Sequence, residues 1–177
     1  MNSLEQKKNY SGLSILNHWI TALLVVAMLT LGLSARSAPD PAEDYIMSIH
    51  IALGFFVLLF VVWRTAVRLR EGFPGHPDAD AVTRIGAWWM HRALLVVLVL
   101  LVVTGPLYLF TEGEGMAVFG WFTFYIPLES LAFIHEPAEE VHKLLAVYAL
   151  PLLLGVHILG AARHYLVGRK GNPVADL

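Results

Sequence analysis

Four stretches of this chain are long and apolar enough to cross a bilayer, and they constrain everything else it can fold into. They run over about 13–33, 45–67, 88–110 and 139–167. Each exceeds the roughly 20 residues that cover about 30 Å of hydrocarbon at the helical rise. Charged side chains make up 15% of the 177 residues, against about 25% in a soluble domain, too few to coat a water-soluble globule. A soluble enzyme is excluded. The period-2 alternation of a membrane barrel is missing, so the backbone must satisfy its hydrogen bonds within helices. The expected fold is an all-α integral membrane protein, a four-transmembrane-helix bundle forming a single domain over residues 1–177.

A further apolar segment, 116–134, is rich in aromatic residues and interrupted by Pro127 and Glu129. It reads either as a fifth span or as an interfacial segment lying on the membrane. The basic residues weigh between the two. Lys7, Lys8, Arg64, Arg68, Arg70, Arg84, Arg92, Arg163, Arg169 and Lys170 fall on one side of a four-span topology, and Arg36 and Lys143 on the other. That asymmetry places both termini in the cytoplasm, and a fifth span would break it, so 116–134 is expected at the interface. Trp88 and Trp89 beside Arg92 suit an anchor at the cytoplasmic surface. No small-residue cleavage site follows the N-terminus, so the first helix is expected to be the first anchor. Nine carboxylates accompany Arg36 and Lys143 outside: Asp40, Glu43, Asp44, Glu112, Glu114, Glu129, Glu136, Glu139 and Glu140. The formal charge is then −7 outside and +5 on the cytoplasmic side. Such a face is either ordinary solvated loop or a surface that attracts cations and repels anions.

Cysteine is absent, which removes disulfides, Cys-ligated zinc, iron–sulfur clusters and covalently attached c-type haem. Eight histidines are present, and an ionisable side chain inside a membrane span marks a functional site by default. His18 lies near the cytoplasmic end of the first helix and His50 near the outer start of the second. His142 lies near the outer start of the fourth, and His157 follows fifteen residues later, about 22 Å along the axis. By depth the four sort into an outer pair, His50 with His142, and an inner pair, His18 with His157. Two layers of paired imidazoles in a chain without cysteine suit two six-coordinate b-type haems, with no open position at either iron.

Ala22, Gly54 and Ala161 lie one turn from His18, His50 and His157 and leave room either for a macrocycle or for close helix packing. At 100° per residue, His142 and His157 end about 60° away from a whole number of turns. Pro151 between them is the expected site of a kink that changes this rotation. Arg64, Arg68 and Arg163 are candidates to neutralise haem propionates. His76, in a polar loop, is expected to be solvated, and His135 interfacial. No P-loop, dinucleotide fingerprint, serine elbow or HExxH motif occurs, and no nucleic-acid partner is expected.

Together these pieces resemble the bacterial cytochrome b561 family of di-haem membrane cytochromes, similar to superoxide oxidase and to hydrogenase-type cytochrome b subunits. The matching residues are Tyr10-Ser11 ahead of His18-Trp19, Ile49-His50 with Gly54, and Val61-Val62-Trp63-Arg64 closing the second helix. His91 opens the third helix, and His142, His157 and His164-Tyr165 fall in and beyond the fourth. The resemblance extends from Tyr10 to about Val167. It implies two haem b groups, ligated by His18 with His157 and by His50 with His142, the same pairs that depth selects. It also implies a ubiquinone site near His91 and His164, where an imidazole can hydrogen-bond a quinone carbonyl and relay a proton.

The location implied is a bacterial inner membrane, with the protein in contact with lipid and with the quinone pool. The expected function is electron transfer between a periplasmic reactant and quinone. One form is a superoxide:ubiquinone oxidoreductase. The other is a quinone-linked respiratory-chain subunit serving a soluble cytochrome or another periplasmic oxidoreductase. The acidic segment after the third helix matches no family motif, so the outer partner is not carried over. A charge of −7 outside favours a cationic protein over anionic superoxide unless Lys143 or Arg36 creates a local basic pocket. A structural or assembly subunit, with incidental histidines, is the remaining reading; it would lack the visible α-band of a b-type cytochrome.

Overall fold

The computed structural model describes residues 12–73 and 80–170, and the side chains among them except at 164 and 167–170. Tyr10, Ser11 and His76 lie outside the described residues, as does the side chain of His164. Among the described residues, four helical segments are long and apolar enough to cross a membrane: Gly12–Ala35, Asp40–Glu71, Ala81–Thr111 and Glu129–Arg163. The first three are α1, α2 and α3. The fourth is composite: a 3₁₀ turn Glu129–Ile134, α4 (His135–Leu144), a π turn Leu145–Ala149 and α5 (Leu150–Lys170).

Polar ends carry α2 and α3 beyond their apolar runs. Asp40 and Glu43 sit in the first turn of α2, where the helix dipole favours carboxylates. At its far end Gly72, with φ 78°, turns back so that its N–H bonds the Arg68 carbonyl, an arrangement that glycine permits without steric cost. Asp80 caps α3 by accepting the Thr83 N–H at 2.6 Å. That bond holds its carboxyl below the usual carboxylate range.

Leu23, Leu59, Val62, Leu152 and Leu159 point outward and exposed, which suits lipid and would be costly in water. Inside, Val25, Val97, Leu101 and Leu150 form a buried apolar cluster, flanked by Leu29, Leu98, Ala146 and Leu153. It joins α1, α3 and the fourth helix at mid-depth.

α1 and α2 meet along a partly polar seam. Ser14, Asn17, Thr21 and Val25 are buried along one face of α1, and the Asn17 side-chain amide donates to the Phe60 carbonyl at 3.4 Å. Arg68, only 7% exposed, donates to the Ser14 hydroxyl and to the Gly72 carbonyl at 3.2 Å. Removing a buried charged donor strands its acceptors. Arg68→Ala should therefore cost about 2–3 kcal/mol and Ser14→Ala about 1 kcal/mol. Thermal unfolding in detergent reads both, and the double variant should lose less than the sum. Additive losses would show that the bond contributes nothing.

Segment 116–134 forms no helix of spanning length. β1 (Met116–Val118) pairs antiparallel with β2 (Phe122–Phe124), Val118 opposite Phe122. Phe119 (φ 49°) and Gly120 (φ 74°) make the turn, closed by the Trp121 N–H on the Val118 carbonyl at 2.9 Å. Both residues take positive φ, which reverses the chain within the three residues between Val118 and Phe122. Gly115, just before β1, is required by close approach: a Cβ there would lie 2.5 Å from the Thr123 methyl. Met116 and Val118 are buried. Met116 packs with Leu109 and Phe110 of α3 and with Ile51 and Phe55 of α2. Beyond the hairpin, the Tyr125 hydroxyl donates to the Glu129 carboxylate, which pushes the phenol above its ordinary range. The hairpin thus plugs one end of the bundle, the end at which α1 and α3 finish.

Candidate functional site

The four predicted histidines meet as two pairs. At the hairpin end, His50 of α2 faces His142 of α4, with ring centroids 6.4 Å apart and planes at 86°. At the opposite end, His18 of α1 faces His157 of α5 at 6.5 Å and 77°. A metal–imidazole bond is about 2.0 Å, and the ring centroid lies about 1.2 Å behind the nitrogen. Two imidazoles trans on one metal are therefore about 6.4 Å apart. Both pairs fit an iron held between them. Among the described residues no group of three or more His, Asp or Glu could hold a metal ion.

The rotational mismatch between His142 and His157 is relieved by the π turn, not by a simple kink. Pro151 lacks an N–H and its ring crowds the carbonyl four residues back, at Val147. The turn just before it widens, and the Leu150 N–H reaches back five residues to the Leu145 carbonyl. One such turn holds an extra residue and takes about 100° out of the helical phase. The two imidazoles then fall about 40° short of four whole turns, instead of about 60° past them.

Around His142, α3 is shaped to the ring. A Cβ on Gly105 would stand 2.9 Å from His142 Cε1 and 3.2 Å from Nδ1, so only glycine admits the imidazole where it lies. The Nδ1–H donates to the Leu101 carbonyl at 3.1 Å, with the Thr104 hydroxyl oxygen beside it at 3.3 Å. That hydroxyl gives its own proton to the Leu100 carbonyl at 2.7 Å. Pro106 lies inside α3, where a missing N–H opens the turn that precedes it. A histidine bonded through Nδ1–H presents an unprotonated Nε2, the tautomer a metal needs.

His50 packs against Gly32 of α1, where a Cβ would be 3.4 Å from its ring. Its Nδ1 is buried without a hydrogen bond of normal geometry, and the Met28 carbonyl is the backbone group it faces. Both rings line a cavity of about 630 Å³ that also reaches Gly54, Met116, Arg36 and Lys143. Lys143 is paired with Glu139 at 2.8 Å.

Tyr108 was not singled out by sequence, yet its ring contacts both His142, at 6.2 Å, and His135, at 5.9 Å. His135, expected merely at the interface, donates from Nδ1 to the Tyr108 carbonyl at 3.0 Å. The sequence alone does not mark Gly32, Gly105 or Thr104 as neighbours of these rings either. The one available signal was Gly105-Pro106 inside an otherwise continuous apolar run.

At the inner pair, His91 of α3 joins as a third ring, 5.6 Å from His157. The Arg64 guanidinium lies close enough to act electrostatically on both His18 and His157. Arg92 stacks between Trp88, 3.7 Å to the ring centroid, and Phe73, at 4.4 Å, fixing this end of α3 by cation–π contact. Ala22 is half-buried, whereas Ala161 and Arg163 are exposed.

Comparison with known proteins identifies the family. A family model described as prokaryotic cytochrome b561 matches residues 9–172. "Cytochrome b561 homolog 2" of Escherichia coli (strain K12) is 26% identical over 172 residues, 96% of this chain and 91% of that protein. "Probable superoxide oxidase CybB" of Yersinia pestis is 24% identical over 165 residues, 90% of each chain. With four apolar helices, paired intramembrane histidines and a family match over nearly its whole length, this chain belongs to the prokaryotic cytochrome b561 family.

Proposed function

We propose that this membrane cytochrome b holds two haem b groups, one between His50 and His142 and one between His18 and His157, and carries electrons between a periplasmic reactant and ubiquinone. The observation that carries the reading is the shared spacing of the two pairs, 6.4 and 6.5 Å, at the two ends of one helix. A haem held by each pair would supply a reversible one-electron change at iron. The chain's own part is to hold, orient and separate. Leu101 fixes the His142 tautomer, Gly105 and Gly32 admit the rings, and the Val25–Leu101–Leu150 cluster keeps the interval between the pairs dry.

The hairpin end faces the periplasm in this reading, and both termini lie in the bacterial cytoplasm, as the basic residues require. At the inner end His91 stands beside His157; in this reading it hydrogen-bonds a quinone carbonyl and moves its proton, and His164, seven residues after His157, is assigned to the same site.

Superoxide as the outer reactant is supported by the likeness to the Yersinia pestis protein. A basic soluble redox protein is the second reading, favoured by the formal −7 of the outer face. Stopped-flow absorbance of the purified protein separates them. Superoxide should reduce both haems, and added ubiquinone should reoxidise them. Reduction by a basic protein such as reduced cytochrome c, slowing steeply with salt, would instead select the second reading. Reduction by neither, with quinol alone effective, would overturn both outer assignments.

A further inference from the structure

We infer that Arg36 and Lys143 bind the two carboxylates of the macrocycle held between His50 and His142, and so fix which edge of it faces the hairpin end. The inference rests on the reading of that pair as haem ligands. Among the described residues of this end, 36–44 and 112–143, Arg36 and Lys143 are the two cations, set among nine carboxylates. Both line the one cavity that His50 and His142 share. Membrane topology explains why cations are scarce at this end. It does not explain why the two present converge on a single cavity.

Helical spacing places them. Val25, Leu29 and Gly32 line the cavity from one face of α1, and Arg36, just past its end with its N–H on the Gly32 carbonyl at 3.4 Å, continues the same spacing. Gly32 touches the His50 ring, so Arg36, one turn further, stands at the mouth above it. Lys143 reaches the same mouth from α4, directly after His142. A haem b is apolar except for two carboxylates on one edge. Pointing that edge at Val25, Leu101 and Leu150 would bury charge without partners, so it must face the mouth.

The mouth is not uniformly basic. Glu43 and Glu140 also line it, and Lys143 is already shared with Glu139. Those carboxylates repel an acidic edge unless cations stand between. Arg36 forms no ion pair with a carboxylate among the described residues, and its planar fork matches a carboxylate in a bidentate fashion. Arg36 is therefore the stronger anchor and Lys143 the shared one. With both engaged, the surface left to an outer reactant is acidic throughout.

The test uses detergent-purified holoprotein. Midpoint potentials come from spectroelectrochemical titration and haem retention from transfer to excess apomyoglobin. His50→Ala identifies which potential belongs to this site. Arg36→Gln should move that potential, and not the other, to more negative values, because a lost positive charge favours ferric iron. It should also speed loss of that haem by about tenfold, the scale of one charge-assisted hydrogen bond. Arg36→Lys should restore most of both effects, and Lys143→Gln should show a smaller shift in the same direction. Unchanged potentials and loss rates in Arg36→Gln and Lys143→Gln would overturn the inference, even if their superoxide kinetics changed. A wild-type protein with fewer than two haems, or His50→Ala retaining both, would instead overturn the ligand reading beneath it.

Discussion

Purified His50→Ala is expected to carry one haem per chain instead of two, and His142→Ala to lose the same one. The two imidazoles stand 6.4 Å apart, so each supplies half of a site that the other cannot complete alone. Their losses are therefore not additive: the double variant should retain the haem count of either single one. His18→Ala and His157→Ala should remove the other haem, and His18→Ala combined with His50→Ala should leave none. Pyridine haemochrome content and the reduced-minus-oxidised spectrum read these counts directly. If His50→Ala and His142→Ala lost different haems, the pairing by depth would be wrong. If any of the four single variants kept both, that histidine would not be a ligand. The small residues around the rings do not compete with this test, because truncating a ligand adds space instead of removing it.

The second large effect is expected from a single methyl group. In Gly105→Ala the new Cβ would lie 2.9 Å from His142 Cε1, closer than real side chains approach, and α3 backbone stands behind it. The ring has to move, and moving it breaks the 3.1 Å bond from Nδ1–H to the Leu101 carbonyl. Overpacking of this kind costs about 1–3 kcal/mol, so retention of the outer haem should weaken by roughly 5- to 150-fold. Gly32→Ala is the internal control, since its Cβ would meet the His50 ring at 3.4 Å, near ordinary contact. It should change retention little. Low-temperature electron paramagnetic resonance gives a second readout, because the low-spin signal responds to imidazole orientation. A Gly105→Ala protein with unaltered signal and retention would mean that the His142 ring shifts freely, and the proposed fit of α3 to it would fail.

The helices themselves were readable from the chain because an apolar run in lipid has no alternative to internal hydrogen bonding. Their ends were not. α2 begins at Asp40 and finishes at Glu71, several residues beyond the apolar run at each side, because Asp40, Glu43 and the Gly72 turn stabilise its polar ends. The aromatic segment after α3 carried no helical period, and its hairpin depends on a left-handed Phe119, a conformation that residue type argues against. His135 looked like a bystander because its partner is a backbone carbonyl 27 positions away, at Tyr108, and backbone groups leave no mark in a sequence.

Depth and direction around a helix divide what the chain determined from what folding decided. The rise of 1.5 Å per residue is nearly constant, so the layer of each histidine follows from counting, and the orientation proposed for the layers rests on charge asymmetry. Rotation is not constant. It changed at the π turn before Pro151, and only packing against α1 and α3 set how that proline would be accommodated. The same holds for Gly105, whose missing side chain acquires meaning only when His142, 37 residues later, is brought against it. Sequence alone thus determined that four imidazoles lie at two depths in a membrane. Tertiary structure decided that they face one another at the spacing of a single metal, because that separation is set by contacts between helices and by no property of one helix alone.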